Sequence, residues 1–295
     1  MKKIKEKFDN VDRLYKIFIY LALITLAISI IVPVAWVFMA SIKENKEFYG
    51  NPWALPAGFY FQNFINAFEK ASMGSYFMNS VLATALSLVI LLVVSLPASY
   101  VLARYKFKGK KFLNMLFMAG LFINVNYIVV PIFLMLMGWD NVIYDILNVS
   151  FFLDNIVVLA IVYASTAIPF TVYLLSSYFQ TLPKAYEEAA LIDGCGYFKT
   201  MIKVMIPMAK PSIVTVILFN FLAFWNEYII ALTLMSGSNR TLPVGLLALQ
   251  QASRGKAEYG MMYAGLVIVM LPTLILYIMV QKKLTQGMTL GGLKD

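Results

Sequence analysis

The 295-residue chain contains no histidine and a single cysteine, Cys195. Zinc, haem and iron-sulfur centres, and Cys/His nucleophile pairs, therefore lack their ligands or bases. A disulfide within the chain is impossible. Charge is scarce as well: 13% of residues are Asp, Glu, Lys or Arg, against 61% hydrophobic, a balance foreign to soluble domains. A Gly-x-x-x-x-Gly-Lys-Ser/Thr loop is also missing, which removes ATP binding by that machinery. These absences predict a chain with no catalytic residue, no metal and no cofactor of its own.

What the sequence has instead is long apolar runs. A helix needs about 20 apolar residues to cross a hydrocarbon core. Six runs meet that length: Ile17 to Ala40, Tyr76 to Leu102, Phe112 to Met137, Asn155 to Phe179, Ser212 to Met235 and Gly260 to Gln281. They are continuously apolar, unlike the alternating strands of a membrane barrel. The expectation is an all-α membrane protein with six transmembrane helices. The first run is too long for a signal-peptide core and lacks a cleavage site, so it should stay as an anchor. The basic leader before it places Ile4, Phe8, Val11, Leu14 and Tyr15 near a helical period, suited to the inner surface.

The net charge of +9 divides by side of the membrane. The leader, the Arg104 to Lys111 loop, the Lys184 to Lys210 loop and the tail hold eighteen Lys or Arg; the opposite side holds six, Lys43, Lys46, Lys70, Arg240, Arg254 and Lys256. The positive-inside rule then puts both termini in the cytoplasm, and topology accounts for the charge without nucleic acid. Residues 1–75 comprise leader, first helix and long outer loop; 76–281 hold the five other helices, with a cytoplasmic loop at about 180–211; 282–295 form a cytoplasmic tail. Pro33, Pro97, Pro131, Pro169 and Pro272 fall inside spans. Each removes a backbone bond and can bend its helix. No internal repeat is apparent.

The loop "AYEEAALIDGCGYFKTMIKVMIP", Ala185 to Pro207, interrupts this apolar chain. Thr181 and Pro183 predict a helix start, with Glu187 and Glu188 early, where acids suit the helix dipole. Ala185, Ala189 and Ala190 permit close backbone approach. The helix runs to Asp193; Gly194 and Gly196 then break it, with Cys195 a small residue at the turn. A second helix from Tyr197 places Phe198, Met201, Ile202 and Met205 at i, i+3, i+4 and i+7, an apolar stripe, and Pro207 closes it. Two short helices about an elbow can dock into another protein or lie on lipid headgroups.

"EAALIDG", followed nine residues later by "VMIP", resembles the EAA loop of type I ABC importer permeases. Glu188, Ala189, Ala190, Gly194 and Pro207 match its pattern of Glu-Ala-Ala, three residues, Gly, nine residues, Ile-x-Leu-Pro; Val204 and Ile206 depart conservatively. "FLAFWNEYIIALTLM", "RTLPVGL", "NPWALP" and the terminal "GMTLGGLKD" look like the maltose-type second permease subunit of the carbohydrate-uptake branch. The resemblance runs from leader to tail. It implies the type I permease fold in a prokaryotic cell membrane, with the loop as coupling helices seated in a cytoplasmic ATPase subunit. Partners would be a second permease, two ABC ATPases carrying ATP and Mg, and an extracytoplasmic solute-binding protein. The chain itself would be a non-catalytic subunit that moves a sugar or oligosaccharide.

Glu227 is the one acid well inside a predicted span, and burying it costs roughly 3 kcal/mol unless a cavity or partner receives it. Asn220 lies seven residues before it, on the same face of a continuous helix. With Trp225, Asn226 and Tyr228 they could line a translocation path for hydroxyls and sugar rings, or form a polar clamp between helices. Ser80, Thr84, Ser87, Ser95 and Ser99 form a small-residue stripe expected to pack, and Asn124 and Asn126 could line the path. The tail is expected to touch the ATPase layer. Other solutes, a polyamine or phosphate, remain open, as does an ion-driven secondary transporter, for which one intramembrane acid without a repeat is poor material.

Overall fold

The computed structural model describes the backbone of residues 2–69, 71–256 and 258–292 and the side chains of residues 15–69, 71–251 and 258–281. The leader's apolar face before Tyr15 and the proposed tail contact lie outside the described side chains. Among the described residues there is no strand. The chain forms two compact units, Met1–Ala71 with Leu249–Ile268, and Ser72–Ala248 with Val269–Asp295.

In the first unit, α1 (Lys2–Ser41) leads into a 3₁₀ turn (Asn45–Phe48) and α2 (Gln62–Glu69). Buried Asn63 ties this stretch together, its Nδ2 donating to the Ser41 and Lys43 carbonyls at 2.9 and 2.8 Å. Gly260 sits against it, where a Cβ would meet Asn63 Nδ2 at 2.5 Å. Lys43 is fully buried; its Nζ donates to the Pro52 carbonyl at 2.7 Å and faces the Phe48 ring. Trp36, Trp53, Phe48, Tyr259 and Tyr263 pack edge and face around that segment.

Glu47 closes the loop. Its Oε1 accepts from the Glu44 N–H and its Oε2 from the Ala57 N–H, both at 3.0 Å. These donors, Ala57 foremost, favour the carboxylate and hold its pKa below the ordinary value. A depressed folded pKa adds stability above the unfolded value and loses it as pH falls through the folded one. Acid-protease cleavage between Glu44 and Tyr60 is therefore expected to accelerate below about pH 4. Glu47→Gln should be cleaved readily at every pH, and a pH step retained in that variant would exclude Glu47 as its source.

The second unit is built on α3 (Met73–Arg104), followed by α4 (Lys110–Gly120), α5 (Val125–Leu147) and α6 (Ile156–Thr181). Helices α3 and α6 form its most extensive contact. Ser80, Thr84, Ser87, Ser95 and Ser99 are all buried on α3, and their small side chains allow close packing. Then come α7 (Ala185–Ile192), α8 (Tyr197–Thr200), a π-helical turn (Met201–Met205), α9 (Ile206–Met208), α10 (Lys210–Trp225), α11 (Ile229–Leu234), α12 (Leu242–Lys256) and α13 (Tyr259–Gly292). The five span prolines lie inside α1, α3, α5, α6 and α13.

Among the described residues five helices are long and apolar enough to cross a membrane; Tyr197–Met208 and Lys210–Trp225, bent by 74°, raise the number to six if taken as one span. Two spans differ from expectation. The run Phe112 to Met137 is broken at 121–124, and its second helix continues to Leu147. Asn124 causes the restart, its Oδ1 accepting the Asn126 N–H at 2.9 Å as an N-cap. Asp140, three residues beyond the predicted run, is therefore inside a helix and buried, accepting from Ser150 Oγ and the Phe151 and Phe152 N–H groups at 2.6 to 2.7 Å.

The run Ser212 to Met235 breaks at Asn226–Tyr228. Sixteen residues of α10 span about 24 Å, short of a core about 30 Å thick; α11 packs against α5 and α6. Beyond it, the 236–241 loop clasps the turn before α6: Asp154 accepts from the Gly237 N–H at 3.2 Å, and Asn239 Nδ2 donates to the Asp154 carbonyl at 2.9 Å.

Candidate functional site

The loop after α6 does form two short helices about an elbow. Thr181 does not cap the first of them; it is the last residue of α6, and its Oγ1 donates back to the Tyr178 carbonyl at 2.8 Å. Helix α7 starts on backbone instead, the Lys184 carbonyl accepting from Glu187 and Glu188 at 2.9 and 3.1 Å. Gly194 makes the elbow with φ of +73°, a conformation that favours glycine. An added Cβ there would meet nothing of this chain within 4 Å, so any close approach at Gly194 involves something else. Half-buried Cys195 closes the turn through its N–H to the Ala190 carbonyl at 2.8 Å.

The predicted apolar stripe divides. Met201 and Met205, 7% and 0% exposed, enter a core with Tyr100, Leu175, Phe179 and Val216. Phe198 and Ile202 face outward, Phe198 at 79%. The physical reason is the π turn over Met201–Met205, which carries more residues per turn than the α-helix assumed for the stripe. The outward face gains members that spacing did not single out: Leu191 and Ile192, the latter 87% exposed, beside Tyr197. Glu188, Ala189, Asp193 and Pro207 are also exposed, while Ala190 is buried.

Glu187 is set apart from that face. Its Oε2 lies 2.7 Å from Arg104 Nη2 and 2.9 Å from Arg104 Nε, and its Oε1 accepts from Tyr100 Oη at 2.8 Å. Arg104 Nη1 also donates to the Leu182 and Phe179 carbonyls at 2.9 and 3.3 Å, so it caps the C-terminus of α6. The two side chains are 7% and 20% exposed. Beside them opens a cleft of about 220 Å³ lined in part by Tyr100, Arg104, Tyr105, Lys184, Glu188 and Tyr197. Sequence reasoning counted Arg104 only as one of the cations of its loop; the 83 residues separating it from Glu187 leave no local signal.

The break in the fifth run reorders the residues expected along a path. Asn220 and Glu227 do not share a helical face, because the helix ends at Trp225. Asn220 is buried, donating to Thr171 Oγ1 at 3.1 Å and the Val216 carbonyl at 2.8 Å, a link from α10 to α6. Trp225 is buried too, stacked on Phe221 with its Nε1 donating to the Val269 carbonyl at 3.2 Å.

Glu227 caps α11: Oε1 accepts the Ile230 N–H at 2.8 Å and Oε2 the Ala231 N–H at 3.0 Å, with Tyr163 Oη donating to Oε2 at 2.9 Å. Tyr228 packs partly buried beside the core, and Asn226 alone of the five is exposed. Both breaks lie against the middle of α6. A Cβ on Gly120 would meet Pro169 at 2.7 Å, six residues along α6 from Tyr163, the partner of Glu227. That separation is about 9 Å of helix. Asn124, Asn126 and Tyr127 are exposed at the first break. Among the described residues no His/Cys/Asp/Glu group could hold a metal ion.

A family model described as binding-protein-dependent transport system inner membrane component matches residues 73–288. The diacetylchitobiose uptake system permease protein NgcG of Streptomyces coelicolor is 32% identical over 95% of this chain and 89% of its own length. The trehalose/maltose transport system permease protein MalG of Thermococcus litoralis is 29% identical over 95% and 98%. A chain in the crystal structure of a bacterial ABC transporter involved in the import of the acidic polysaccharide alginate superposes with a TM-score of 0.77 at 23% identity, covering 92% of this chain and 96% of that one.

Proposed function

Because the chain belongs to the inner membrane components of binding-protein-dependent transport systems, we propose that it is the multi-pass permease subunit of an ABC importer for a sugar or oligosaccharide. Relatives named for diacetylchitobiose and for trehalose/maltose, matched over nearly their whole length, support the substrate class. One observation carries the coupling role: large apolar side chains, Leu191, Ile192, Tyr197, Phe198 and Ile202, stand exposed on a loop that an ion pair ties to the membrane helices. Large apolar side chains held out to solvent in one short loop suit a protein contact, and the occupant is the ATPase subunit.

Two such ATPases, a second permease and an extracytoplasmic binding protein complete the transporter. ATP and Mg belong to the ATPases, and this chain hydrolyses nothing. The excess of Lys and Arg on the loop side supports a cytoplasmic position for that side and for both termini. Solute passes the helix breaks at the middle of α6, where Asn226 offers an amide, with Tyr228 beside it. Glu227 shapes the break; Asn220 and Trp225 hold the helices behind it.

Reconstitution tests this directly. Proteoliposomes holding both permeases, the ATPases and the binding protein are expected to take up a chitobiose- or maltose-class disaccharide only with ATP. Uptake by this chain on a proton or sodium gradient without ATPases would defeat the proposal.

A further inference from the structure

The docking loop could in principle move by itself, since the Leu182–Lys184 link between α6 and α7 is short and exposed at Pro183 and Lys184. It is not free to do so in this structure. Both oxygens of Glu187 are engaged, Oε2 by two nitrogens of Arg104 and Oε1 by Tyr100 Oη. A carboxylate held on one oxygen by a charge-assisted guanidinium N–H and on the other by a hydroxyl has a fixed direction as well as a fixed place. Arg104 and Tyr100 both belong to α3, so α7 cannot roll without turning the end of that helix.

Arg104 then reaches a third element. Its Nη1 holds the Phe179 and Leu182 carbonyls at the end of α6. One planar side chain thus joins α3, α6 and α7 by directional bonds, and theirs is the one ion pair among the described residues. Helices α3 and α6 share the most extensive contact of the second unit. Tyr163 and Pro169 of α6 stand at the two helix breaks. A displacement delivered to α7 therefore has a stiff route to the breaks: Glu187, Arg104, the α3–α6 pair, the middle of α6.

We propose that Arg104 is a positioning residue for coupling, the strut that converts displacement of the docking loop into movement of the α3–α6 pair. This rests on the proposed ATPase contact and adds what lies behind it. Lysine would keep the charge but not the fork that engages Glu187 and two carbonyls together.

The test uses the assembled transporter in proteoliposomes, in a Cys195→Ser background with Tyr127→Cys, exposed at the first helix break, as reporter. Labelling of that cysteine by a membrane-impermeant maleimide is measured with and without ATP-Mg. In Arg104→Gln, co-purification of the ATPase and its hydrolysis rate are expected to stay within about twofold, while the nucleotide-dependent change in labelling falls at least about tenfold, the scale of losing a shielded ion pair. Glu187→Gln, which keeps the shape of its side chain, is expected to do the same, so the inference does not hang on one variant.

A full labelling change in both variants overturns the inference and leaves the ATPase contact standing. Loss of the ATPase from both also overturns it, since Arg104 would then only shape the loop. Phe198→Glu separates the two levels: an ATPase that still binds that variant removes the contact itself, and the strut with it.

Discussion

Phe198→Glu is expected to abolish ATP-driven uptake, by at least a hundredfold, while the spans remain folded. Phe198 is 79% exposed, so its replacement costs the isolated subunit little. In the complex, burying a phenylalanine side chain contributes about 2 kcal/mol, and a buried unpaired carboxylate adds a penalty of several kcal/mol. Together these exceed the 2.8 kcal/mol or so that corresponds to a hundredfold change. The measurement is paired: ATPase co-purification and uptake should both collapse, with thermal unfolding of the purified permease unchanged. Met205→Glu makes the contrast, since Met205 is fully buried in the α3–α6 core and its replacement should unfold the subunit instead. Normal ATPase binding by Phe198→Glu would return the exposed ridge to a lipid-facing role.

Glu227→Ala is expected to cost stability as well as transport. The substitution strips acceptors from the Ile230 and Ala231 N–H groups and from Tyr163 Oη. Each buried donor left unpaired costs about 1 to 3 kcal/mol, so with three donors a loss of about 3 to 9 kcal/mol is expected, concentrated on α11. Six residues of helix cannot hold without their cap. Glu227→Gln keeps one acceptor oxygen and should fall between. Thermal unfolding in detergent, without solute or ATPase, decides between a cap and a solute ligand. A ligand carboxylate could be replaced with the unfolding temperature unchanged, and that outcome would sink the cap.

The spans were legible because twenty apolar residues in a row admit few other structures. Their breaks were not, because hydropathy averages over the residues that make them. Asn226 and Glu227 stood in plain view inside the fifth run; what could not be read was that a carboxylate would take over two backbone N–H groups and let the helix restart. Asn124 is the same case with an amide. In the loop, Gly194 disclosed the elbow, since its turn requires a positive φ. The stripe from Phe198 to Met205 misled because its spacing presumes 3.6 residues per turn. Arg104 escaped altogether: its role depends on an acid and two carbonyls that approach it only after the chain has crossed the membrane twice more.

The π turn over Met201–Met205 has a consequence for how the subunit meets other proteins. One residue of helix is worth about 100° of rotation about its axis. The compass direction in which Phe198 points, measured from Met205 and the span that follows, is thus set by how many residues the turn holds and not by which ones they are. Removing a single residue there re-aims the ridge through nearly a right angle with its chemistry intact. Insertions and deletions in this one turn are therefore the cheapest way for such a permease to change the orientation of its partner without changing a side chain at the contact.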